Sequence, residues 1–272
     1  MIVEANIILK EKALIEQLKT AGKLAVAFSG GVDSTYLLYK AHEVLGDGAL
    51  AVTVKSSVLT ADEFADTVAF CKQIGVKQVV IDFDVFAVEE FAANPPDRCY
   101  YCKKKIFESV KSVAEANGIS AVADGSNIDD DGDYRPGMRA IKELGIISPL
   151  KLSGLTKNDI RALSREAELP TWDMPSAACL ASRFAYGEKI TEEGLKRVGA
   201  AEKVIKDLGF KGIRVRVHGD IARIEASPSD IAHMMEDSMR TQISTELKQL
   251  GFRYVTIDID GYRMGSMNEV LK

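Results

Sequence analysis

Short apolar runs alternate with longer segments of helical character through the first half of the chain. The apolar runs predict buried strands, the last of them with its exit loop, at 23–29, 49–55, 76–84 and 120–127. Helices are predicted between and after them, at 34–46, 60–75, 101–118, 136–145 and 156–169. Strands separated by helices of this length predict an α/β fold, with a parallel sheet and helices on both faces. Thr60 followed by Glu63 predicts a capping box at one helix start.

The pattern changes after Pro170. Residues 171–189 show no clear period and predict a long loop. A helix, a strand pair, two helices and a last strand are predicted after it, at 191–208, 212–226, 229–236, 239–250 and 254–260. This order predicts a smaller C-terminal α+β domain. We place the two domains at 1–185 and 186–272.

Composition and charge narrow the range of functions. The chain has 272 residues, 46% of them hydrophobic, and a net charge of −5. Because no block of Lys or Arg stands out, binding to nucleic acid is disfavoured. No apolar run approaches the roughly 20 residues of a membrane span, and the N-terminal segment has the pattern of an amphipathic helix rather than a signal peptide. We therefore expect a cytoplasmic protein without a membrane partner.

The stretch FSGGVDST (28–35) lies where a predicted strand ends and a helix begins, which is where open α/β sheets bind ligands. Gly30 and Gly31 allow a tight turn that presents backbone N–H groups to an anion, beside the positive end of the helix dipole. Ser29 and Ser34 add hydroxyl groups. Asp33 would repel a phosphate by itself, so its presence indicates a Mg²⁺ ion between them. An ordinary glycine-rich turn is the alternative.

The four cysteines are too few for a disulfide framework in a chain of this length. Cys71 falls inside a predicted helix and is expected to be a buried, inert thiol. Cys99 and Cys102 form a C-x-x-C pair in RCYYCK, at the start of the next helix. Cys179 follows about 80 residues later, in the long loop, where the small residues Ser176, Ala177, Ala178, Ala181 and Ser182 leave its thiol accessible.

Four interpretations of the last three cysteines compete. Cys99 and Cys102 could form a redox disulfide, or the trio could belong to a zinc site. Zinc needs four ligands, and the three histidines, His42, His218 and His233, are poorly placed to supply one. Cys179 could also act alone. Finally, three thiolates could hold a 4Fe–4S cluster and leave its fourth iron open, since ligation by thiolate alone suits iron–sulfur clusters.

The loop FSGGVDST resembles that of the pyrophosphatase-loop (PP-loop) family, the adenine-nucleotide α-hydrolases. Members of this family cleave ATP to AMP and pyrophosphate and form an adenylated intermediate. The resemblance implies that Ser29, Gly30, Gly31, Asp33 and Ser34 hold the pyrophosphate end of ATP and its Mg²⁺. The stretch DGSN (124–127) stands where such enzymes complete the nucleotide pocket, which implicates Gly125, Ser126 and Asn127. An ordinary turn would also explain that stretch.

Further stretches, CLASRFAYGEKIT (179–191), IRVRVHGDIARIE (213–225) and GYRMGSMNE (261–269), resemble the pyridinium-3,5-biscarboxylic acid mononucleotide sulfurtransferases (the LarE family). These enzymes supply sulfur for the nickel-pincer nucleotide cofactor of lactate racemase. The resemblance implies a small-molecule substrate whose carboxylates are adenylated with ATP and Mg²⁺ and become thiocarboxylates. It also implies a homo-oligomer, such as a hexamer, assembled through the small domain.

The family has two branches. In one, a single cysteine at the position of Cys179 gives up its own sulfur and becomes dehydroalanine. In the other, an additional C-x-x-C pair accompanies it, and sulfide is carried on a 4Fe–4S cluster. Cys99 and Cys102 match the second branch, with Cys179 as the catalytic residue in either case. A tRNA thiolation enzyme with the same loop and three cysteines is an alternative, against which the net charge speaks.

Arg214 and Arg216 lie two residues apart and therefore on one face of a predicted strand. Together they could clamp the phosphate of a mononucleotide, since the fork of a guanidinium suits this anion. Arg183 is a second candidate for this contact. The alternative is a solvated strand face on which the arginines pair with Glu225 or Asp220.

Overall fold

Four parallel strands form the sheet that the alternating pattern predicts. The structure, a computed structural model, describes residues 5–132, 136–175, 179–263 and 265–271. It divides into one unit of Met1–Val85 with Cys99–Ala177 and a second unit of Phe86–Arg98 with Ala178–Lys272. The second unit thus takes in a segment that precedes the C-x-x-C pair. The domain limits 185 and 186 stay a prediction.

The helices and strands of the described residues follow the predicted order. The α-helices are α1 (Ala5–Ala21), α2 (Val32–Leu45), α3 (Ala61–Ile74), α4 (Glu89–Ala93), α5 (Arg98–Ala116), α6 (Gly137–Glu143), α7 (Pro149–Leu152), α8 (Lys157–Glu166), α9 (Glu192–Asp207), α10 (Pro228–Met234) and α11 (Asp237–Gln249). The strands are β1 (Leu24–Ala27), β2 (Ala49–Lys55), β3 (Lys77–Asp82), β4 (Val122–Ala123), β5 (Arg214–His218), β6 (Ile221–Glu225) and β7 (Tyr254–Ile257). None of these helices is long and apolar enough to cross a membrane.

Alternation along the strands sends side chains into two separate cores. Leu24 and Val26 of β1 pack with side chains of α1, α2 and α8. Ala25, between them, packs with Leu50 and Val52 of β2 and with side chains of α5 and α6. Because successive residues of a strand point to opposite faces, one strand supplies both cores. The predicted parallel sheet with helices on both faces is thereby confirmed.

The strand order is β3-β2-β1-β4. The chain therefore moves from β1 outward on one side through β2 and β3, and then returns to add β4 on the other side of β1. In parallel sheets the ligand crevice forms where the order reverses in this way. The parallel pairing of β1 with β4 places the loops that follow these two strands at the same edge of the sheet.

The second unit contains a three-stranded sheet in the order β5-β6-β7. Strands β5 and β6 are antiparallel and are joined by a tight turn at Gly219, whose φ of 56° lies in the left-handed region that favours glycine. Strands β6 and β7 are parallel, with α10 and α11 in the connection between them. The small α+β fold is as expected.

Several local details differ from the expectations. Helices α4 and α7 were not predicted, because each is too short to show a clear period. The predicted helix at 101–118 begins earlier, at Arg98, so that both cysteines of the C-x-x-C pair lie in its first turns. The capping box is confirmed: Thr60 Oγ1 accepts from the Glu63 backbone N–H, and the Glu63 carboxylate accepts from the Thr60 N–H.

The core behind the phosphate loop dominates the stability that we expect for the first unit. Leu37 of α2 is fully buried there, whereas Leu152 of α7 is 68% exposed. We expect Leu37→Ala to lower the free energy of unfolding by about 2–5 kcal/mol, because the lost contacts leave a cavity. The control Leu152→Ala should change it by less than about 0.5 kcal/mol. Urea denaturation of both variants tests this, and equal losses would contradict it.

Candidate functional site

The loop between β1 and α2 forms a cradle of backbone and hydroxyl groups. The hydroxyls of Ser29 and Ser34 lie 3.1 Å apart, and the Ser29 backbone N–H donates to Ser34 Oγ over 3.3 Å. Gly31 is the N-cap of α2 and makes no side-chain cap hydrogen bond. The N–H groups of the first helical turn therefore have no capping side chain in front of them, which is the arrangement that binds phosphate at helix N-termini.

Gly30 is required by both conformation and space. Its φ of 77° lies in the left-handed region, and a Cβ added to it would lie 3.0 Å from Thr67 Cγ2. Thr67 is fully buried on α3, where its hydroxyl donates to the Phe64 carbonyl over 2.7 Å. Thr67 on α3 therefore limits the space at position 30. A larger residue there would displace the loop that forms the cradle.

The loop after β4 lies directly against this cradle. A Cβ on Gly125 would come within 3.0 Å of the Ser34 backbone nitrogen. Asn127 Nδ2 donates to Asp33 Oδ1 over 3.4 Å. The structure therefore brings together the two stretches that the sequence analysis assigned to one nucleotide pocket.

Ser126, also predicted here, has a different role in the structure. Its hydroxyl donates over 2.5 Å to the buried carboxylate of Asp124, which also accepts from Ser148 Oγ over 2.6 Å. Because its hydrogen-bonding capacity is directed at Asp124, Ser126 shapes the loop rather than presenting its hydroxyl to the cradle.

Lys157 is part of the site although the sequence analysis did not select it. It is the first residue of α8, and its Nζ lies 2.5 Å from Asp33 Oδ2. Its backbone N–H donates to Asp129 Oδ2 over 2.8 Å. A lysine in the first turn of a helix is repelled by the positive end of the helix dipole. The negative charge of Asp33 offsets this repulsion. That unusual position was the signal available in the sequence.

The Asp33 carboxylate suits Mg²⁺, which commonly binds through one or two carboxylates and the oxygens of a substrate's phosphates. Among the described residues, no group of three or more His, Cys, Asp or Glu side chains forms a metal site. A magnesium ion at this edge would therefore be completed by the nucleotide and water rather than by a protein cage.

The cysteines differ sharply in environment. Cys71 is buried in α3, and burial raises the pKa of its thiol to about 12, so it stays protonated and inert at neutral pH, as expected. Cys99 is exposed and Cys102 half-buried in the first turns of α5. Cys179 is exposed in the second unit, just before the short helical turn Leu180–Arg183. Its neighbours Ser176, Ala177 and Ala178 lie outside the described residues.

Three accessible thiols are the donor type that an iron–sulfur cluster requires, and they are a poorer fit to magnesium or to a four-ligand zinc site. Ala181 and Ser182, expected to leave the Cys179 thiol accessible, lie in the turn that follows it, where Ala181 is buried.

The three predicted phosphate-binding arginines lie together in the second unit, but they are buried rather than solvated. Arg183, Arg214 and Arg216 are 3%, 6% and 7% exposed. Arg183 binds the Glu202 carboxylate with two hydrogen bonds of 2.7 and 3.0 Å. Arg216 binds Glu225 over 2.8 Å. The solvated strand face considered as an alternative is therefore wrong in its exposure, because α9 and β6 cover the strand and supply the carboxylates.

The three arginines have features that suit the binding of an anion. Burial and then the positive charge of Arg183 lower the pKa of Arg214, whose guanidinium lies 5.2 Å from the centre of the Tyr262 ring. Arg216 Nε is buried and has no hydrogen-bond partner among the described residues. A bound phosphate would offset the repulsion between the guanidinium groups and accept the remaining N–H group.

A glycine-lined cradle at the switch point of a parallel sheet, with a magnesium-type carboxylate and a lysine beside it, defines an ATP-binding protein of the PP-loop class. Comparison with known proteins supports this assignment. No family model matches the chain. It is 24% identical over 204 residues to one component of the glutamine-hydrolysing GMP synthase of Thermoplasma volcanium, and the match covers 68% of this chain and 64% of that protein.

Two relatives match nearly the whole chain. An uncharacterised protein of Synechocystis sp. is 41% identical over 246 residues, 90% of this chain and 92% of that protein. Pyridinium-3,5-bisthiocarboxylic acid mononucleotide synthase of Lactiplantibacillus plantarum is 38% identical over 268 residues, 98% of this chain and 96% of the synthase. The chain belongs to the family of pyridinium-3,5-bisthiocarboxylic acid mononucleotide synthases, which confirms the resemblance found in the sequence.

Lys157 should contribute directly to nucleotide binding. We expect Lys157→Ala to weaken MgATP binding by roughly 10- to 100-fold, because a hydrogen bond to a charged group contributes about 1.5–3 kcal/mol. Titration calorimetry on the whole protein measures the affinity. Lys203→Ala is the control, since Lys203 pairs with Asp207 on the surface of α9 in the second unit. Unchanged affinity in Lys157→Ala would remove this lysine from the site.

Proposed function

We propose that the chain is an ATP-dependent sulfurtransferase that converts the carboxylates of pyridinium-3,5-biscarboxylic acid mononucleotide to thiocarboxylates, a step in the synthesis of the nickel-pincer cofactor of lactate racemase. The observation that carries this proposal is the similarity to the synthase, which covers 98% of the chain. The phosphate cradle, the exposed Cys179 and the arginine cluster support it independently.

The first half-reaction activates a carboxylate. The cradle of Ser29, Gly30, Gly31 and Ser34 holds the phosphates of ATP, and Asp33 takes the magnesium ion. A carboxylate oxygen of the substrate attacks the α-phosphorus, the bond from that phosphorus to the bridging oxygen breaks, and pyrophosphate leaves with the electron pair. Lys157 and the N-terminus of α2 stabilise the negative charge that develops on the leaving group.

In the second half-reaction a sulfur nucleophile attacks the acyl carbon of the adenylate, and AMP leaves. Cys99, Cys102 and Cys179 have the donor chemistry to hold a 4Fe–4S cluster by three of its irons. When bound, such a cluster would supply sulfide at its fourth iron. Two rounds convert the dicarboxylate to a dithiocarboxylate.

Cys179 could instead donate its own sulfur. Its thiolate would attack the acyl carbon and form a thioester as AMP leaves. Loss of the Cα proton and cleavage of the Cβ–Sγ bond would then release the thiocarboxylate and leave dehydroalanine. The exposed position of Cys179 suits either route, whereas Cys99 and Cys102 have a role only in the first.

The substrate is a mononucleotide, and we assign its phosphate to Arg183, Arg214 and Arg216. Two of these already pair with Glu202 and Glu225, so the carboxylates hold the guanidinium groups in place before the anion arrives. Positioning of this kind lowers the entropy cost of binding, because the side chains are ordered in advance.

Cys179→Ser separates the two half-reactions. We expect this variant to retain substrate-dependent exchange of labelled pyrophosphate into ATP, since the cradle is intact. It should form no thiocarboxylate, because serine has no sulfur to give and cannot replace a thiolate ligand. Mass spectrometry of the product and radiolabel exchange are the two measurements. Cys71→Ser is the matched control, as Cys71 lies in the core of α3. Thiocarboxylate formation by Cys179→Ser would refute the assignment.

The same preparation distinguishes the two sulfur sources. Purified without oxygen, a cluster enzyme contains iron and sulfide, turns over repeatedly when sulfide is supplied, and loses iron in Cys99→Ala. A donor of its own sulfur stops after one turnover, and the peptide that carries Cys179 becomes lighter by H₂S. Iron-free protein with that mass change would exclude the cluster route.

We also propose that the chain assembles as a homo-oligomer through its second unit. An apolar groove there is lined by Ile224, Ile231, Met234, Val255 and Ile257. Met235 on its rim is 50% exposed. We expect Met235→Lys to lower the molar mass measured by light scattering, because a charge would be buried in the interface. Leu152→Lys, on the first unit, is the control. A monomeric wild-type protein would contradict the proposal.

A further inference from the structure

The backbone turn that follows Cys179 is held by three buried arginines, each of which donates to a different carbonyl oxygen. Arg183 Nη1 donates to the Cys179 carbonyl over 3.3 Å, and Arg216 Nη1 to the Ser182 carbonyl over 2.7 Å. Arg98 Nη1 donates to the Ala181 carbonyl over 3.1 Å. The first two belong to the arginine cluster already described. Arg98, which is 4% exposed, is not one of the three arginines of that cluster.

Asn94 makes further hydrogen bonds to the residues that follow this turn. It is fully buried, and its amide Nδ2 donates to the carbonyls of Ala185 and Glu188 over 2.7 and 3.0 Å. Its own carbonyl accepts the Gly187 N–H over 2.9 Å, and its Oδ1 accepts from Arg98 Nη1. Asn94 and Arg98 therefore act as one hydrogen-bonded pair that contacts the stretch 181–188 at four points.

The stretch 179–191 has little regular structure. Apart from the turn Leu180–Arg183 and one bridge between Phe184 and Val217, it lies outside the named helices and strands, so side chains from elsewhere add to the hydrogen bonds of its own backbone. Asn94 itself adopts a left-handed φ of 54°, which is uncommon outside glycine although asparagine tolerates it best. Both buried side chains donate to carbonyls of this loop, which favours a single loop conformation.

We infer that Asn94 and Arg98 are positioning residues for sulfur transfer, which hold the turn after Cys179 so that the thiol is presented to the activated carboxylate. The inference rests on the proposed function. Arg98 also directly precedes Cys99 in the sequence. The residue that donates to the turn after Cys179 is therefore adjacent in sequence to the C-x-x-C pair. The hydrogen bonds of Asn94 and Arg98 given above all go to the second unit, so we expect activation of the carboxylate not to depend on them.

Three substitutions at these two positions test the inference with little change of backbone. Asn94→Gly removes every side-chain hydrogen bond while glycine readily keeps the left-handed conformation. Arg98→Lys keeps the charge and one donor, whereas Arg98→Ala removes both. Arg197→Ala is the matched control, because Arg197 is also an arginine of the second unit that donates to a backbone carbonyl, that of Gly219 over 3.1 Å.

Three measurements on the full-length protein separate the outcomes. Pyrophosphate exchange reports activation, single-turnover thiocarboxylate formation reports sulfur transfer, and hydrogen exchange of peptides covering 180–190 reports the hold on the turn. In Asn94→Gly and Arg98→Ala we expect exchange of pyrophosphate to be unchanged and sulfur transfer to fall roughly 10- to 100-fold, as misplacement of a reacting group does. Amide protection over 180–190 should fall about tenfold, the loss expected from one buried charged hydrogen bond. Arg98→Lys should recover part of both losses.

The inference is overturned if sulfur transfer in these variants equals that of the wild type, or if the Arg197→Ala control loses as much. It is also overturned if activation and sulfur transfer fall together, since that pattern reports a general loss of structure. The inference is also overturned if amide protection over 180–190 in these variants equals that of the wild type, and this measurement needs no substrate. Failure of the proposed function has a different signature, in which the wild-type protein itself shows no substrate-dependent pyrophosphate exchange.

Discussion

The parallel pairing of β1 with β4 is the constraint on which the nucleotide site depends. It joins strands that are about 100 residues apart in the chain and places both of their exit loops at one edge of the sheet. At that edge Gly125 lies so close to Ser34 that a Cβ would meet the backbone. The cradle, the Asn127 contact to Asp33 and the position of α8 with Lys157 all follow from this pairing.

Buried charge is the corresponding constraint in the second unit. A buried ion pair adds little stability over apolar residues of similar volume, because desolvation offsets the attraction. Here two such pairs, Arg183 with Glu202 and Arg216 with Glu225, lie beside a further buried guanidinium on Arg214. These three arginines and two glutamates carry a net positive charge, and mutual repulsion between buried guanidinium groups does not stabilise a small sheet. The proposed binding of a substrate phosphate would account for this arrangement.

The sequence predicted what depends on neighbours in the chain. The parallel sheet followed from the alternation of strands and helices, the capping box from Thr60 and Glu63, and the cradle from two glycines between a strand and a helix. Lys157 was missed because its partner Asp33 is 124 residues away, and no local period reveals such a contact. The partner of Arg183 was missed for the same reason. Asp220, considered as a partner for the arginines, lies 3.3 Å from Arg253 instead.

The segment 86–98 was the largest omission, and its cause is physical. Before α5 begins at Arg98, the segment contains the short helix Glu89–Ala93, which shows no clear period, and two prolines follow that helix. Its value lies in two polar side chains whose partners are carbonyls more than 80 residues further on. Backbone carbonyls carry no sequence signal, since every residue has one. Contacts of this kind are therefore invisible to motif analysis, although they bind the backbone of the turn that follows Cys179. The contrast with Cys71, whose thiol is inert because it is buried, shows that surroundings rather than residue type set the role of a cysteine.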